Sequence, residues 1–409
     1  MIGPMTTPST RAAPGDPAGV PMSLVALLAA GAGLSAASLY YNQPILGAIA
    51  RDLDATPSAV GWLPTLTQLG YASGIFLFAP LGDRFDLRRV ISIKGAALAL
   101  ALVLAGLAPS ITLLAAASLA VGLLATTAQD FVPAAAALAP PTARGRIVGT
   151  AMTGLLLGIL LSRVVSGIVG EHFGWRAVYF GAAGSVAAVT ALASVRLPTM
   201  TPTAIAPYGA LLRSTLGLLR RAEPLRRAAL AQALLAVAFS GFWSTLALAL
   251  AEPPYRMGSA VAGAFGLAGA AGALVAPVAG SIADKRGPER VIRSGVALVI
   301  ASFVAMAVAP ASLPVLIAGT IVFDLGVHAS LISHQTIVYG LDATARSRLN
   351  AVLVSSMFLG MAIGSAVASR VLAAWGFAGV AVLGAGAASI AMLVRVLPSG
   401  RSFAARPAR

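Results

Sequence analysis

Apolar stretches of about 20 residues, the length a helix needs to cross hydrocarbon at ~1.5 Å per residue, recur along this 409-residue chain from near its start to near its end. Twelve are legible, at about 23–46, 58–82, 90–108, 111–136, 147–170, 175–195, 228–250, 259–283, 291–309, 312–338, 349–372 and 377–396. Strands of a membrane barrel would be roughly ten residues long and alternate polar with apolar, so helices are the spanning element. Only 10% of the residues are charged and 58% are hydrophobic, with mean hydropathy +0.90, which leaves too little polar surface for a large water-soluble fold. There is no cysteine, which excludes disulfides, a thiol nucleophile and thiolate-bound metal.

The formal charge of +15 would suggest a polyanionic partner in a soluble protein, but its distribution gives it another meaning. Placing the N-terminus in the cytoplasm gathers 23 of the 28 Lys and Arg on that side, including Arg84, Arg88, Arg89 and Lys94 after the second span. Arg51, Arg163, Arg176, Arg256 and Arg370 remain elsewhere. By the positive-inside rule both termini are expected in the cytoplasm, and no nucleic-acid partner is expected. The first apolar run is too long for a cleaved leader and reads as a retained helix. The expected organisation is a cytoplasmic tail (1–22), a six-helix half (23–195), a linker (196–227), a second six-helix half (228–396) and a basic tail (397–409). Leu211, Leu212, Leu216 and Leu219 with Arg213, Arg220 and Arg221 predict an amphipathic surface helix in the linker.

The two halves repeat one another. Thr142-Ala143-Arg144-Gly145-Arg146-Ile147 recurs 202 residues later as Thr344-Ala345-Arg346-Ser347-Arg348-Leu349. Gly158 maps to Gly360, Phe173-Gly174-Trp175 to Trp375-Gly376-Phe377, and Val178 to Val380. At an offset of 201, Asp83 maps to Asp284 and Arg89 to Arg290. Duplicated six-helix halves are the architecture of a transporter that rocks about a site between them.

The loop after the second span reads Ala79-Pro80-Leu81-Gly82-Asp83-Arg84-Phe85-Asp86-Leu87-Arg88-Arg89, and its counterpart runs from Gly280 through Asp284-Lys285-Arg286 to Arg290. Both resemble the G-x-x-x-D-R-x-G-R-R/K signature of the major facilitator superfamily. Tyr40-Tyr41-Asn42-Gln43-Pro44, Gly154-Leu155-Leu156-Leu157-Gly158, Asp324-Leu325-Gly326-Val327 and Arg346-Ser347-Arg348-Leu349-Asn350 narrow the resemblance to bacterial facilitators beside the acriflavine-type drug:proton antiporters. The chain departs from that group at Ser118, where the antiporters carry an arginine, and at Ile159, where they carry a proline. The resemblance implies an all-α fold of twelve spans in two pseudo-symmetric halves, set in a bacterial inner membrane. It further implies one copy as the functional unit, and a small solute, protons and the lipid bilayer as partners.

A charge inside the bilayer is a functional candidate by default. Asp324, His328 and Gln335 share one face of the tenth span, with His334 about a quarter turn away. Asp324, His328 and His334 are therefore candidates for proton coupling, the alternative being a structural hydrogen-bonded cluster. Asn42, Gln43, Gln68, Arg163 and Gln335 are candidates for the solute pathway. Arg163 could hold an anion, pair with Asp324, or snorkel to the headgroups. Trp62, Trp243 and Tyr71 read as packing or interface residues. Gly266, Gly269 and Gly272, and Gly360 with Gly364, read as close helix-packing surfaces. By the resemblance, Asp130 pairs with Arg89 and Asp83 caps the eleventh span near Asn350. Asp83, Arg84, Arg88, Arg89, Asp130, Asp284, Arg290 and Asn350 thus form the expected cytoplasmic gate, unless these charges only anchor the loops.

No G-x-x-x-x-G-K-[ST], H-E-x-x-H or G-x-S-x-G is present, so no ATP drive, metal, cofactor or enzymatic activity is expected. The expectation is secondary active transport by alternating access, with proton-coupled efflux ahead of coupled or uncoupled uptake, and a membrane sensor or enzyme behind both.

Overall fold

The computed structural model describes residues 20–200, 208–209, 213, 217–219, 222–273, 285–342 and 345–397, and among these the secondary structure is entirely helical. The helices are α1 (Met22–Ala37), α2 (Asn42–Asp52), α3 (Pro57–Val60), α4 (Trp62–Arg84), α5 (Leu87–Gly106), α6 (Ile111–Ala125) and α7 (Ala128–Leu138). They continue as α8 (Arg144–Phe173), α9 (Trp175–Arg196), α10 (Glu223–Ala251), α11 (Ser259–Ala273), α12 (Pro288–Val308), α13 (Leu313–Tyr339) and α14 (Arg346–Val396). Among the described residues, eight helices are long and apolar enough to cross a bilayer, or nine with α1 and α2 taken as one bent span. Helix lies at each of the twelve expected places. The inner part of the eighth span, with Asp284, falls outside the described residues, as do linker residues Leu211, Leu212, Leu216, Arg220 and Arg221.

Local sequence explains the breaks. Between α1 and α2 the axis bends by 41° just ahead of Pro44, whose missing N–H removes the helical bond to the Tyr40 carbonyl. The fourth span divides into α6 and α7 at Thr126 and Thr127, whose hydroxyls donate to the carbonyls of Leu123 and Leu124 at 2.7 Å. Gly174 (φ 84°) separates α8 from α9, and its repeat partner Gly376 (φ 63°) breaks α14 into the eleventh and twelfth spans. A side chain in that left-handed region is strained, so the duplicated turn uses glycine both times.

The duplication also governs packing. A Cβ on Gly154 or Gly158 would run into the backbone of Ala29 or Gly33 on α1, and one on Gly360 or Gly364 into Ala233 or Val237 on α10. The fifth span therefore crosses the first, and the eleventh crosses the seventh, at backbone contact.

The core is divided unevenly along the membrane normal. At the end bearing the basic loops, one cluster built around Leu28, Ile91, Phe131 and Ile147 contains residues of the first half with Leu197 and Met200 at the start of the linker, and none of the second half. A separate cluster at that end, around Leu225, Leu349 and Leu353, contains residues of the second half with linker residues. At the opposite end a single cluster joins Ile45, Leu46 and Tyr71 of the first half to Leu248, Phe358 and Met361 of the second. The halves meet there through Ser365 donating to the Gly61 carbonyl (3.3 Å) and the Ala260 N–H donating to the Glu171 carboxylate (2.7 Å). Tyr71 stacks on Phe358 at 4.4 Å. Among the described residues, these contacts between the halves lie away from the basic loops.

Candidate functional site

The bend ahead of Pro44 brings Tyr40 and Gln43 into the seam between the halves, where Arg163 of α8 meets them, with Trp243 of α10 and Asp324 of α13 beside it. Gln43 and Arg163 share the lining of one void with Trp243 and Ala262. Arg163 is 4% exposed, so it does not snorkel to the headgroups. Its Nε donates to Gln43 Oε1 at 2.9 Å, and its guanidinium lies over the rings of Trp243 (4.3 Å) and Tyr40 (4.7 Å). Its Nη2 is buried without a hydrogen-bond partner. Close helix crossing makes room for this: a Cβ on Gly266 of α11 would touch the Arg163 side chain, and one on Gly263 its carbonyl.

Asp324 is buried across the seam. Arg163 and Asp324 are close enough to act on one another electrostatically, but they make no ion pair within 4.0 Å. Asp324 Oδ2 faces the Trp243 indole without a hydrogen bond of ordinary length. A Cβ on Gly269 would touch both groups, so this glycine lets α11 close over them. Asp324 Oδ1 lies 3.6 Å from Nδ1 of His328, and that nitrogen also lies 2.8 Å from the Asp324 carbonyl. The His328 side chain is 29% exposed against 4% for Asp324, so the imidazole is the more accessible of the two groups. The geometry suits a proton relay into a poorly solvated acid beside a fixed cation.

Further polar atoms in these helices are buried and unpaired: Asn42 Oδ1, Gln43 Nε2, and both amide atoms of Gln68. Asn42 donates from Nδ2 to Thr67 Oγ1 at 3.1 Å. Buried polar atoms ordinarily find partners, so the free Gln43 Nε2 beside Arg163 leaves a donor available to something polar.

The other candidates lie elsewhere. His334 turns into the second half, with Nδ1 3.0 Å from Gln232 Oε1, away from Asp324. Gln335 sits nearer the basic end, its Nε2 3.5 Å from Asn350 Oδ1. Asp130 pairs with Lys94 at 2.5 Å and not with Arg89, which is exposed. The physical reason is that α5 begins at Leu87, which buries Lys94 two turns inside the helix, although the sequence reading counts it among the cytoplasmic basic residues. Arg88 is likewise drawn within its own half, its Nε donating to the Ser194 carbonyl at 2.7 Å. Arg84 and Arg290 are exposed, and the side chains of Asp83 and Asp284 lie outside the described residues. The expected ring of gate charges is thus not assembled across the halves among the described residues.

Sequence reasoning missed Tyr40 and the role of Trp243, which reads as packing in sequence and instead covers Arg163. The available signal was the arginine itself: a guanidinium held in apolar surroundings seeks aromatic faces.

Residues 28–342 match the model of the Major Facilitator Superfamily. The chain is 38% identical over 373 residues to the uncharacterized transporter YgaY of Escherichia coli O157:H7, covering 91% of this chain and 94% of that protein. It is 36% identical over 391 residues to the probable transporter SCO4007 of Streptomyces coelicolor, covering 93% and 90%. Among solved structures, a point mutant of the nucleoside transporter NupG superposes with TM-score 0.74 over 91% of this chain and 98% of that one, at 13% identity. The chain belongs to the major facilitator superfamily and is a multi-pass membrane transporter of that type.

Proposed function

We propose that this chain is a proton-coupled secondary transporter that moves a small organic solute by alternating access, with Asp324 and His328 as the proton site. The observation carrying this reading is the buried Asp324, with the more accessible His328 beside it, set against Arg163 where the two halves meet. With the basic loops in the cytoplasm, the contacts between the halves among the described residues lie on the outer side, which fits an inward-open state. Antiport efflux, the direction the sequence resemblance implies, requires solute and proton to compete for Asp324. Symport requires them to load together, and the charge of the solute selects between the two.

The test uses protein in liposomes with a trapped pH dye and a panel of organic cations, sugars, amino acids and organic acids. Solute-dependent proton flux in the wild type that disappears in Asp324→Asn is the expected result. Solute-dependent proton flux that survives in Asp324→Asn would overturn the assignment, and accumulation without proton flux would overturn coupling.

A further inference from the structure

We propose that Arg163 binds the carboxylate of a small organic acid, so that the solute is an anion that loads together with a proton. This deepens the reading of Asp324 as the proton site and rests on it.

Four observations converge on the Arg163 guanidinium. It is buried, and no described carboxylate approaches within 4.0 Å, so its charge is not neutralised by an ion pair. Its Nε is taken by Gln43, and the rings of Trp243 and Tyr40 lie against it. Its Nη2 has no partner. What remains is the Nη edge of a planar fork, the geometry that matches a carboxylate through two parallel hydrogen bonds. Gln43 Nε2, also unpartnered, adds a donor beside it.

The surroundings set the sign of coupling. Of the charged and titratable groups at this place, Tyr40 comes from the turn before α2, Arg163 from α8, and Asp324 and His328 from α13. The neighbouring parts of α10 and α11 contribute Trp243 and glycines. While Asp324 is ionised it is the nearest available countercharge for Arg163. Once Asp324 holds a proton, the guanidinium is left in a poorly solvated site without one, and a solute carboxylate restores neutrality. A cationic solute would instead meet Arg163 as a like charge at close range.

The experiment uses the purified full chain and three probes of one shape and different charge: benzoate, benzamide and benzylammonium. Binding is read by calorimetry and by tryptophan fluorescence. The wild type is expected to bind benzoate in the millimolar range or tighter, and benzamide and benzylammonium more weakly. Arg163→Gln should weaken benzoate roughly 10- to 100-fold, with Arg163→Lys between, because Lys keeps the charge and loses the fork. Asp324→Asn should tighten benzoate roughly tenfold, a gain that a misfolded variant cannot produce. Benzylammonium binding in place of benzoate, no benzoate binding at any accessible concentration, or weaker benzoate binding in Asp324→Asn would each overturn the proposal. Proton flux driven by a neutral or cationic solute, lost in Asp324→Asn and indifferent to Arg163→Gln, overturns the anion class and leaves the coupling reading intact. Benzoate binding with the expected signs but without proton movement in liposomes upholds the anion site and overturns coupling.

Discussion

The Lys94 and Asp130 pair gives a sharp energetic prediction because both residues are nearly sealed from solvent, at 6% and 7% exposure, with Nζ 2.5 Å from Oδ2. The pair joins α5 to α7, and Lys94 also lies 5.3 Å from the centre of the Phe78 ring. Replacing one partner strands the other as an uncompensated charge among apolar helices, which costs about 3 to 5 kcal/mol. Lys94→Met and Asp130→Leu should each lose that much alone. Together they remove both charges and should fall within about 1 to 2 kcal/mol of wild type, because the desolvation of two ions is relieved along with the lost attraction. The assay is a double-mutant cycle read by tryptophan fluorescence during unfolding in mixed micelles with increasing dodecyl sulfate. Additive losses in the double variant would refute the reasoning and show that the two charges are stabilised by different neighbours.

Further outcomes follow from the same geometry. Arg89→Ala, at an exposed position without the expected Asp130 partner, should change stability by less than about 0.5 kcal/mol in the same assay. Gly158→Leu drives a side chain into the Gly33 backbone and should abolish monodisperse folded protein on size exclusion, while Gly145→Ala, with nothing near its Cβ position, should leave the profile unchanged. His334→Ala should retain solute-dependent proton flux, because its imidazole faces Gln232, whereas His328→Ala should slow that flux by roughly tenfold or more.

Much of the architecture is legible in the sequence because the bilayer imposes one length scale on every span and the duplication repeats each feature at an offset of about 202 residues. Arg163 and Asp324 stand out for the same reason: hydrocarbon makes any charge conspicuous. Their neighbours do not stand out. Tyr40 and Trp243 lie on spans about 200 residues apart, and nothing in the period of either helix says that both turn toward Arg163. The partner of Asp130 is hidden because Lys94, near the start of the third span, counts with the cytoplasmic basic residues, and only the packing of α5 against α7 shows it buried. His334, about a quarter turn from the Asp324 face already in the sequence, faces Gln232. The charges are not duplicated: Gly122 occupies the repeat position of Asp324, Ser365 that of Arg163, and Gly295 that of Lys94 at the loop offset. The repeat therefore locates the helices without locating the site.

The central claim, that the halves rock about this seam, is tested most directly by locking them at the closed end. A Cβ on Gly47 of α2 would lie 3.6 Å from the Ala251 Cβ of α10, within the range a disulfide spans, and the chain has no cysteine of its own to interfere. Gly47→Cys with Ala251→Cys should cross-link under mild oxidation and lose solute flux in liposomes, with flux returning on reduction. Solute flux that continues through the cross-linked protein at the rate of the reduced form would contradict alternating access between these halves.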